Sequence, residues 1–293
     1  MFVKWLNLLF FTNFYRFIQK ISCKITETMV LPPHILYRGG MRMTEGIDVS
    51  VYQGTPDWNA VRAGGVTFAM IKASQGRSEA DGALRLFEDA QYRRNLRAAS
   101  AAGIRCGVYH YLTAADLAEA DEEAAFFVSV LAPEQQNISL WAAVDVESRY
   151  LPHDRVLLTK IVSRFCDKVQ AAGFRPMLYT NPDFLKNRLD DVSAFPLWLA
   201  LWRDVSHLPE EAQYPGLTLW QWGRGSIPGI AGLCDRNLAL RELPPLPGDR
   251  RFYAEEVCRY AGLSDTTKEF LSLYKYGDDL YRKLYEAIMR GGK

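Results

Sequence analysis

The chain has 293 residues, 48% of them hydrophobic and 24% charged, which is ordinary for a soluble globular protein of one large domain with an appendage, or of two domains. A formal net charge of +1 gives no broad electrostatic bias toward nucleic acid or an anionic surface. Cys23, Cys106, Cys166, Cys234 and Cys258 are widely spaced, odd in number and form no Cys-x-x-Cys, and the histidines lack ligand spacing. Neither a disulfide framework nor a zinc site is expected, and the cysteines are expected to be mostly free, buried thiols.

Residues 1–43 differ in composition from the rest. Trp5-Leu6-Asn7-Leu8-Leu9-Phe10-Phe11 is apolar but too short to span a bilayer. It resembles a signal-peptide core without a small-x-small cleavage site after it, and Cys23 has Lys20, not an apolar residue, three places earlier. Translation from Met41 or Met43, and an amphipathic helix lying on the catalytic domain or a membrane, are the other readings. The segment is expected to be dispensable for chemistry.

The body of the chain then alternates. Residues 46–50 form a short strand followed by a turn at Tyr52-Gln53-Gly54, and Pro56-Asp57-Trp58 opens a helix that Gly64-Gly65 ends. Residues 67–73 are a second strand, 84–102 a long helix closed by Gly103, and 106–111 a third strand. A helix over 116–131 is stopped by Pro133, and the fourth strand runs from Leu140 into Asp145-Val146-Glu147. A helix over 154–172 with Gly173 as its C-cap leads to a fifth strand at 176–180. Strands six to eight fall at 197–202, 217–222 and 235–240, with little helix between them. Continuous hydrophobic strands alternating with helices mean a parallel sheet covered by helices. Eight of them point to an α/β fold of the irregular TIM-like barrel type, not an open doubly wound sheet. No Gly-x-Gly-x-x-Gly opens a helix, so dinucleotide binding lacks support.

The polar strand ends carry the functional signal. On a strand, residues two apart share a face, so Asp145 and Glu147 leave the backbone together with Val146 turned away. Buried carboxylates need a partner or a raised pKa, and at the C-terminal end of a barrel strand such a pair reads as catalytic. Asp48 lies in strand one and Asp235 starts strand eight. Tyr109 and Tyr111 end strand three, Tyr179 ends strand five, Trp198 and Trp202 lie in strand six, and Gln221 and Trp222 end strand seven. Singly, each has a bland reading: Asp48 as a turn residue, His110 as a core histidine, the tryptophans as barrel filling. Gathered at one mouth, carboxylates ringed by aromatic faces suit a carbohydrate site, where rings pack on sugar C–H surfaces and a carboxylic acid protonates a glycosidic oxygen.

These residues carry a resemblance. The motifs are Gly46-Ile47-Asp48-Val49-Ser50, Tyr52-Gln53-Gly54, Asp57-Trp58, Ile71-Lys72-Ala73, Ala102-Gly103-Ile104, Gly107-Val108-Tyr109-His110-Tyr111, Asp145-Val146-Glu147, Leu197-Trp198-Leu199-Ala200, Trp220-Gln221, Pro228-Gly229-Ile230 and Asp235-Arg236-Asn237. Residues 46–240 thereby resemble the family-25 glycoside hydrolases, the lysozyme-type N-acetylmuramidases of phages, bacteria and fungi. The resemblance implies cleavage of the β-1,4 bond between N-acetylmuramic acid and N-acetylglucosamine in bacterial cell-wall peptidoglycan. By position, Glu147 is similar to the general acid and Asp145 to its partner, with Asp48 and Asp235 as supporting acids. Tyr109, Tyr179, Trp198, Gln221 and Tyr52 are expected against substrate. Glu147 is expected to titrate high because Asp145, Asp48 and Asp235 surround it with like charge. No metal or cofactor, no nucleic acid and a monomeric state are expected, with action at a cell wall in the manner of a secreted or phage-released enzyme. A catalytically inactive wall-binding barrel is the alternative; a wall amidase or peptidase lacks its zinc ligands or Cys/His pair here.

Ser74-Gln75-Gly76 stands where the family usually has threonine and glutamate, residues 78–86 are somewhat long, and Leu201-Trp202 replaces a polar residue and an aromatic. The first removes a charge near the mouth, but none removes Asp48, Asp145, Glu147 or Asp235, so activity is expected. Domain bounds are expected at 44–242 for the barrel and 249–293 for a helical C-terminal appendage, joined by the semi-rigid Leu243-Pro244-Pro245-Leu246-Pro247-Gly248. Helices are expected at 251–261, 265–276 and 278–290, the last with an apolar stripe of Leu280, Tyr281, Leu284, Tyr285, Ile288 and Met289. Packing on the barrel is favoured over wall binding for this appendage.

Overall fold

A computed structural model describes residues 37–38, 41–76, 84–246, 250–273 and 276–291. The chain packs as two units, Met1–Met43 and Thr44–Lys293. In the described part of the first, Tyr37–Arg38 pairs antiparallel with Met41–Arg42. The apolar run at Trp5 to Phe11, Cys23, most of the long 78–86 segment and Pro247-Gly248 lie outside the described residues.

In the second unit eight strands close into a barrel: β1 (Thr44–Val49), β2 (Phe68–Gln75), β3 (Arg105–Tyr111), β4 (Trp141–Asp145), β5 (Arg175–Thr180), β6 (Leu197–Ala200), β7 (Leu217–Ser226) and β8 (Leu233–Ala239). Each pairs with the next in chain order and β8 returns to β1. From β1 to β7 the pairings are parallel. β8 is antiparallel to both its neighbours, which departs from an all-parallel frame. The cause is the connection: only residues 227–232 separate β7 from β8, and a parallel crossover needs a dozen or more.

Helices α1 (Trp58–Ala63), α2 (Tyr92–Ala101), α3 (Leu117–Leu131) and α4 (Arg155–Ala171) occupy the first four crossovers. Asp57, Asp116 and Asp154 start α1, α3 and α4 by accepting first-turn N–H groups, which is why each helix opens at an aspartate. Gly173 follows α4 at φ 90°, the left-handed conformation that glycine adopts without Cβ strain. The helix expected over 84–102 is shorter than its sequence pattern. Phe87–Glu88 instead pairs antiparallel with the end of β2, and the Asp89 carboxylate accepts from the N–H groups of Val51 and Gln91, committing that stretch to a turn.

The inward faces follow the two-residue period and change character along the barrel axis. Phe68 and Met70 precede Lys72 on β2, Trp141 and Ala143 precede Asp145 on β4, and Met177 precedes Tyr179 on β5. On the reversed β8 the same order runs backward, from Asp235 through Asn237 to Ala239. One end of the barrel is thus filled by apolar side chains and the other by ionisable ones. On β1, Gly46 pairs with Phe68, and a Cβ at Gly46 would lie 2.3 Å from the phenyl ring.

Beyond the barrel, α5 (Arg250–Ala261), α6 (Asp265–Ser272) and α7 (Gly277–Gly291) form a small core of Ala254, Val257, Cys258 and Tyr281. α5 docks on the apolar end. Arg175, which opens β5, donates to Glu256 at 2.6 Å, and Arg105, which opens β3, donates to the carbonyl of Pro244. Two of the six residues of the expected α7 stripe face solvent, Leu284 and Met289 at 38% and 43% exposed. Cys106, Cys166, Cys234 and Cys258 are free and buried. Among the described residues no helix is long and apolar enough to cross a membrane.

Because the Phe68 ring has no free volume to yield, Gly46→Ala should destabilise the fold by about 1–3 kcal/mol. Thermal unfolding followed by circular dichroism checks this, and a melting temperature equal to that of the parent would count against the packing described.

Candidate active site

The strand-end geometry at β4 is set by its neighbour. After Asp145 the Val146 N–H donates to the carbonyl of Tyr179 at 2.9 Å, and the Thr180 hydroxyl donates back to the Val146 carbonyl at 2.6 Å. Val146 is therefore pinned with its side chain fully buried, and the side chains on either side of it, Asp145 and Glu147, both reach one cavity. Across the barrel, Asp48 on β1 and Asp235 on β8 are direct partners in an antiparallel pair, a register that places both on the same face. All four acids line a cavity of about 910 Å³, together with Tyr52, Lys72, Gln75, Tyr109, Tyr111 and Arg224.

The other residues expected against substrate lie one layer deeper. Trp198 is 1% exposed, and its indole N–H donates to the Asn237 amide oxygen at 2.7 Å. Tyr179 packs edge-on against Trp198 at 4.4 Å, and its hydroxyl donates to Gln221 Oε1 at 3.2 Å. Gln221 is 4% exposed and also accepts from the Trp202 indole at 2.9 Å. With its oxygen taken, the Gln221 amide turns its NH2 toward Asp48, donating to Oδ2 at 3.0 Å, and Asn237 donates to the same oxygen at 2.7 Å. So Trp198, Gln221 and Tyr179 hold the cavity floor and do not line the cavity. Tyr52 stands at its rim, 87% exposed, on a one-turn helix fixed by the reciprocal capping of Ser50 and Gln53. His110 points elsewhere: it is fully buried between Ser74, 2.8 Å from Nδ1, and Glu123, 2.7 Å from Nε2.

Three participants lie outside the set read from the strand ends. Lys72 was legible as a lone charge between Ile71 and Ala73 in an apolar strand, and Asn237 as the same-face neighbour of Asp235. Gln75 showed only as the residue standing where the resembled family usually has glutamate. Its oxygen accepts from Lys72 Nζ at 2.7 Å, and the ammonium lies 5.1 Å from the centre of the Tyr111 ring.

Burial dominates the electrostatics. It raises Asp48 to a pKa of about 7, helped by the charges of Asp235 and Glu147 and opposed by the Asn237 and Gln221 hydrogen bonds. Asp145 is pushed well above the usual carboxylate range, first by burial and then by Glu147, with Lys72 opposing. Its Oδ1 is buried and has no hydrogen-bond partner among the described residues. Glu147 is also raised, first by burial; Lys72 opposes and Asp235 adds to the rise. The direction agrees with the sequence expectation, but the leading cause is desolvation, not like charge. Glu147 is nonetheless solvent-exposed as a residue, so its carboxyl sits at the boundary of the cavity where screening limits the rise. Burial draws Lys72 downward, and Asp145 is the first charge that holds it up. Among the described residues no group of three or more His, Cys, Asp or Glu could hold a metal ion.

A closed mixed barrel with an acid-lined mouth is a frame that suits the glycoside hydrolases. The sequence profile of the glycosyl hydrolases family 25 matches residues 47–230, and the chain belongs to that family. Asp48, Asp145 and Glu147 fall inside the match and Asp235 just beyond it. The chain is 32% identical over 192 residues to the autolytic lysozyme of Clostridium acetobutylicum, covering 65% of this chain and 54% of that one. It is 26% identical over 205 residues to lysozyme M1 of Streptomyces globisporus, covering 66% of each. The chain thus spans about half to two-thirds of the length of these curated relatives. The fold is similar to that of a family 25 glycosyl hydrolase from Bacillus anthracis, with a TM-score of 0.57 at 22% identity, over 72% of this chain and 94% of that one.

The Asp48 shift has a signed consequence. An acid with a raised folded-state pKa stabilises the fold fully below its unfolded value, and that contribution is lost as pH rises through the folded value. From 3.8 to about 7, Asp48 should therefore lower stability with rising pH, by on the order of 4 kcal/mol, and level off above. Asp48→Asn, which keeps an acceptor for Gln221 and Asn237, should gain melting temperature relative to the parent between pH 5 and 8. Parallel melting curves for the two proteins across that range would contradict the shift.

Proposed function

We propose that the protein is a peptidoglycan N-acetylmuramidase that cleaves the β-1,4 bond between N-acetylmuramic acid and N-acetylglucosamine. The observation that carries this reading is the pinned Val146, which sends Asp145 and Glu147 into one cavity facing Asp48 and Asp235. Two relatives named as lysozymes support the substrate class.

In this mechanism Glu147 is the general acid. Its raised pKa keeps a proton available, and its place at the solvent boundary lets it exchange that proton between turnovers. It protonates the glycosidic oxygen as the bond to the anomeric carbon breaks. Positive charge then grows on the sugar ring and is stabilised by the carboxylates around the cavity. Asp145 orients the substrate: a buried carboxylate oxygen without a donor suits the N–H of an N-acetyl group. Either the acetamido oxygen or a carboxylate closes on the anomeric carbon, and water releases the product while Glu147 takes up the proton. Asp48, held by two amide donors, and Asp235, paired with Arg224 at 3.0 Å, support the charge of the pocket. Tyr52 and Tyr109 offer the aromatic surface at the rim and wall. In the same reading the catalytic unit is the barrel of residues 44–242. Residues 1–43 are dispensable for the reaction, the C-terminal helices brace the far end, and the enzyme works as a monomer on the wall outside the cytoplasm.

Purified peptidoglycan treated with the protein should yield new reducing sugar ends and no new free amines, with muropeptides ending in N-acetylmuramic acid by mass spectrometry. Glu147→Gln should lower the rate at least about 100-fold while sedimentation with the wall is retained. Wall binding by the parent without reducing ends would instead make the barrel a binding module, and free amines would make it an amidase or peptidase.

A further inference from the structure

The cavity holds two cations. Arg224 is paired with Asp235 at 3.0 Å. Lys72 makes no ion pair among the described residues; its Nζ donates to the neutral oxygen of Gln75 at 2.7 Å and lies 5.1 Å from the centre of the Tyr111 ring. Both Lys72 and Gln75 line the same cavity as Asp145 and Glu147. A carboxylate in the position of Gln75 would pair with the ammonium and cancel its field. An amide satisfies the hydrogen bond and leaves the charge intact.

We propose that Gln75 is a positioning residue that holds Lys72 without neutralising it, so that the ammonium's charge acts on Asp145 and Glu147 and sets the pH range in which the pair works. The surroundings are consistent with this. Asp48 on β1, Tyr109 and Tyr111 on β3, Tyr179 on β5, Arg224 on β7, Asp235 on β8 and Asp89 before α2 are the other titratable or charged groups near the pair. Tyr109 and Tyr179 are pushed well above the ordinary tyrosine range by burial and stay neutral, and Arg224 is occupied by Asp235. Asp48 adds to the rise of Asp145 and Asp235 to that of Glu147. Lys72 is the group that opposes the rise of both Asp145 and Glu147.

The proposal rests on the muramidase reading for its turnover readout, so two measurements are paired. In the first, the rate of reducing-end release is followed against pH. Gln75→Glu should move the whole bell-shaped profile to higher pH by about one unit, because a carboxylate beside Lys72 removes the field that opposes protonation of the pair. Lys72→Met should move it in the same direction, and Lys72→Arg should restore the parent profile. In the second, which needs no turnover, protein labelled with carbon-13 at the glutamate carboxyl is titrated by NMR, with Glu147→Gln assigning the signal. The Glu147 midpoint should rise by a similar amount in Gln75→Glu. An unmoved midpoint in folded Gln75→Glu overturns the proposal even if the parent is active. A moved midpoint in a protein that releases no reducing ends upholds the charge relation and overturns the muramidase reading.

Discussion

Two amide groups, from Gln221 and Asn237, meet on one oxygen of Asp48, and the mouth of the barrel depends on the chain reversal that brings them there. β8 runs against both neighbours because its link to β7 is too short for a crossover. That reversal puts the beginning of β8, with Asp235 and Asn237, at the same end as the C-terminal ends of the parallel strands. Had β8 entered parallel, Asp235 would lie at the apolar end, and Asp48 would lose both its opposing acid and one of its donors. The layer below serves the same purpose. Trp198 orients Asn237, and Tyr179 with Trp202 orients Gln221, so three aromatic donors fix the direction of two amides.

Several acids in one cavity would all ionise in water, and desolvation is what separates them here. Asp48 and Asp145 are nearly sealed, 8% and 5% exposed, whereas Glu147 meets solvent and Asp235 is held by Arg224. A group that shuttles protons needs contact with water, and a group that stabilises or orients does not. The division of exposure within the cavity therefore parallels the division of labour proposed for it. Lys72 opposes the rise of both Asp145 and Glu147, and its neutral partner Gln75 leaves that charge effective.

The opposite end of the barrel is finished differently. Its strands begin with apolar side chains and arginines, and the arginines are spoken for by the C-terminal segment: Arg175 by Glu256, which also accepts from Arg259, and Arg105 by the Pro244 carbonyl. A three-helix segment whose own core is small gains from such docking, since about fifty residues bury only a marginal apolar surface by themselves.

Local pattern alone made the barrel legible. Strand-length apolar runs, aspartates one place before α1, α3 and α4, and glycine after α4 report backbone needs that do not depend on distant partners. The two-residue period likewise put Asp145 and Glu147 on a shared face before any fold was known. What sequence could not contain was depth. Trp198, Gln221 and Tyr179 look like cavity residues at strand ends, yet side chains from neighbouring strands reach past them and leave them as the floor. Phe87–Glu88 sits in a helical pattern, yet pairing with β2 overrides it. The residue types and their strand positions were thus settled by the sequence, because sterics and alternation act between neighbours in the chain. Which acid is sealed, which meets water and which amide faces Asp48 were settled only by the tertiary structure, because desolvation and hydrogen bonding depend on what the rest of the barrel places alongside.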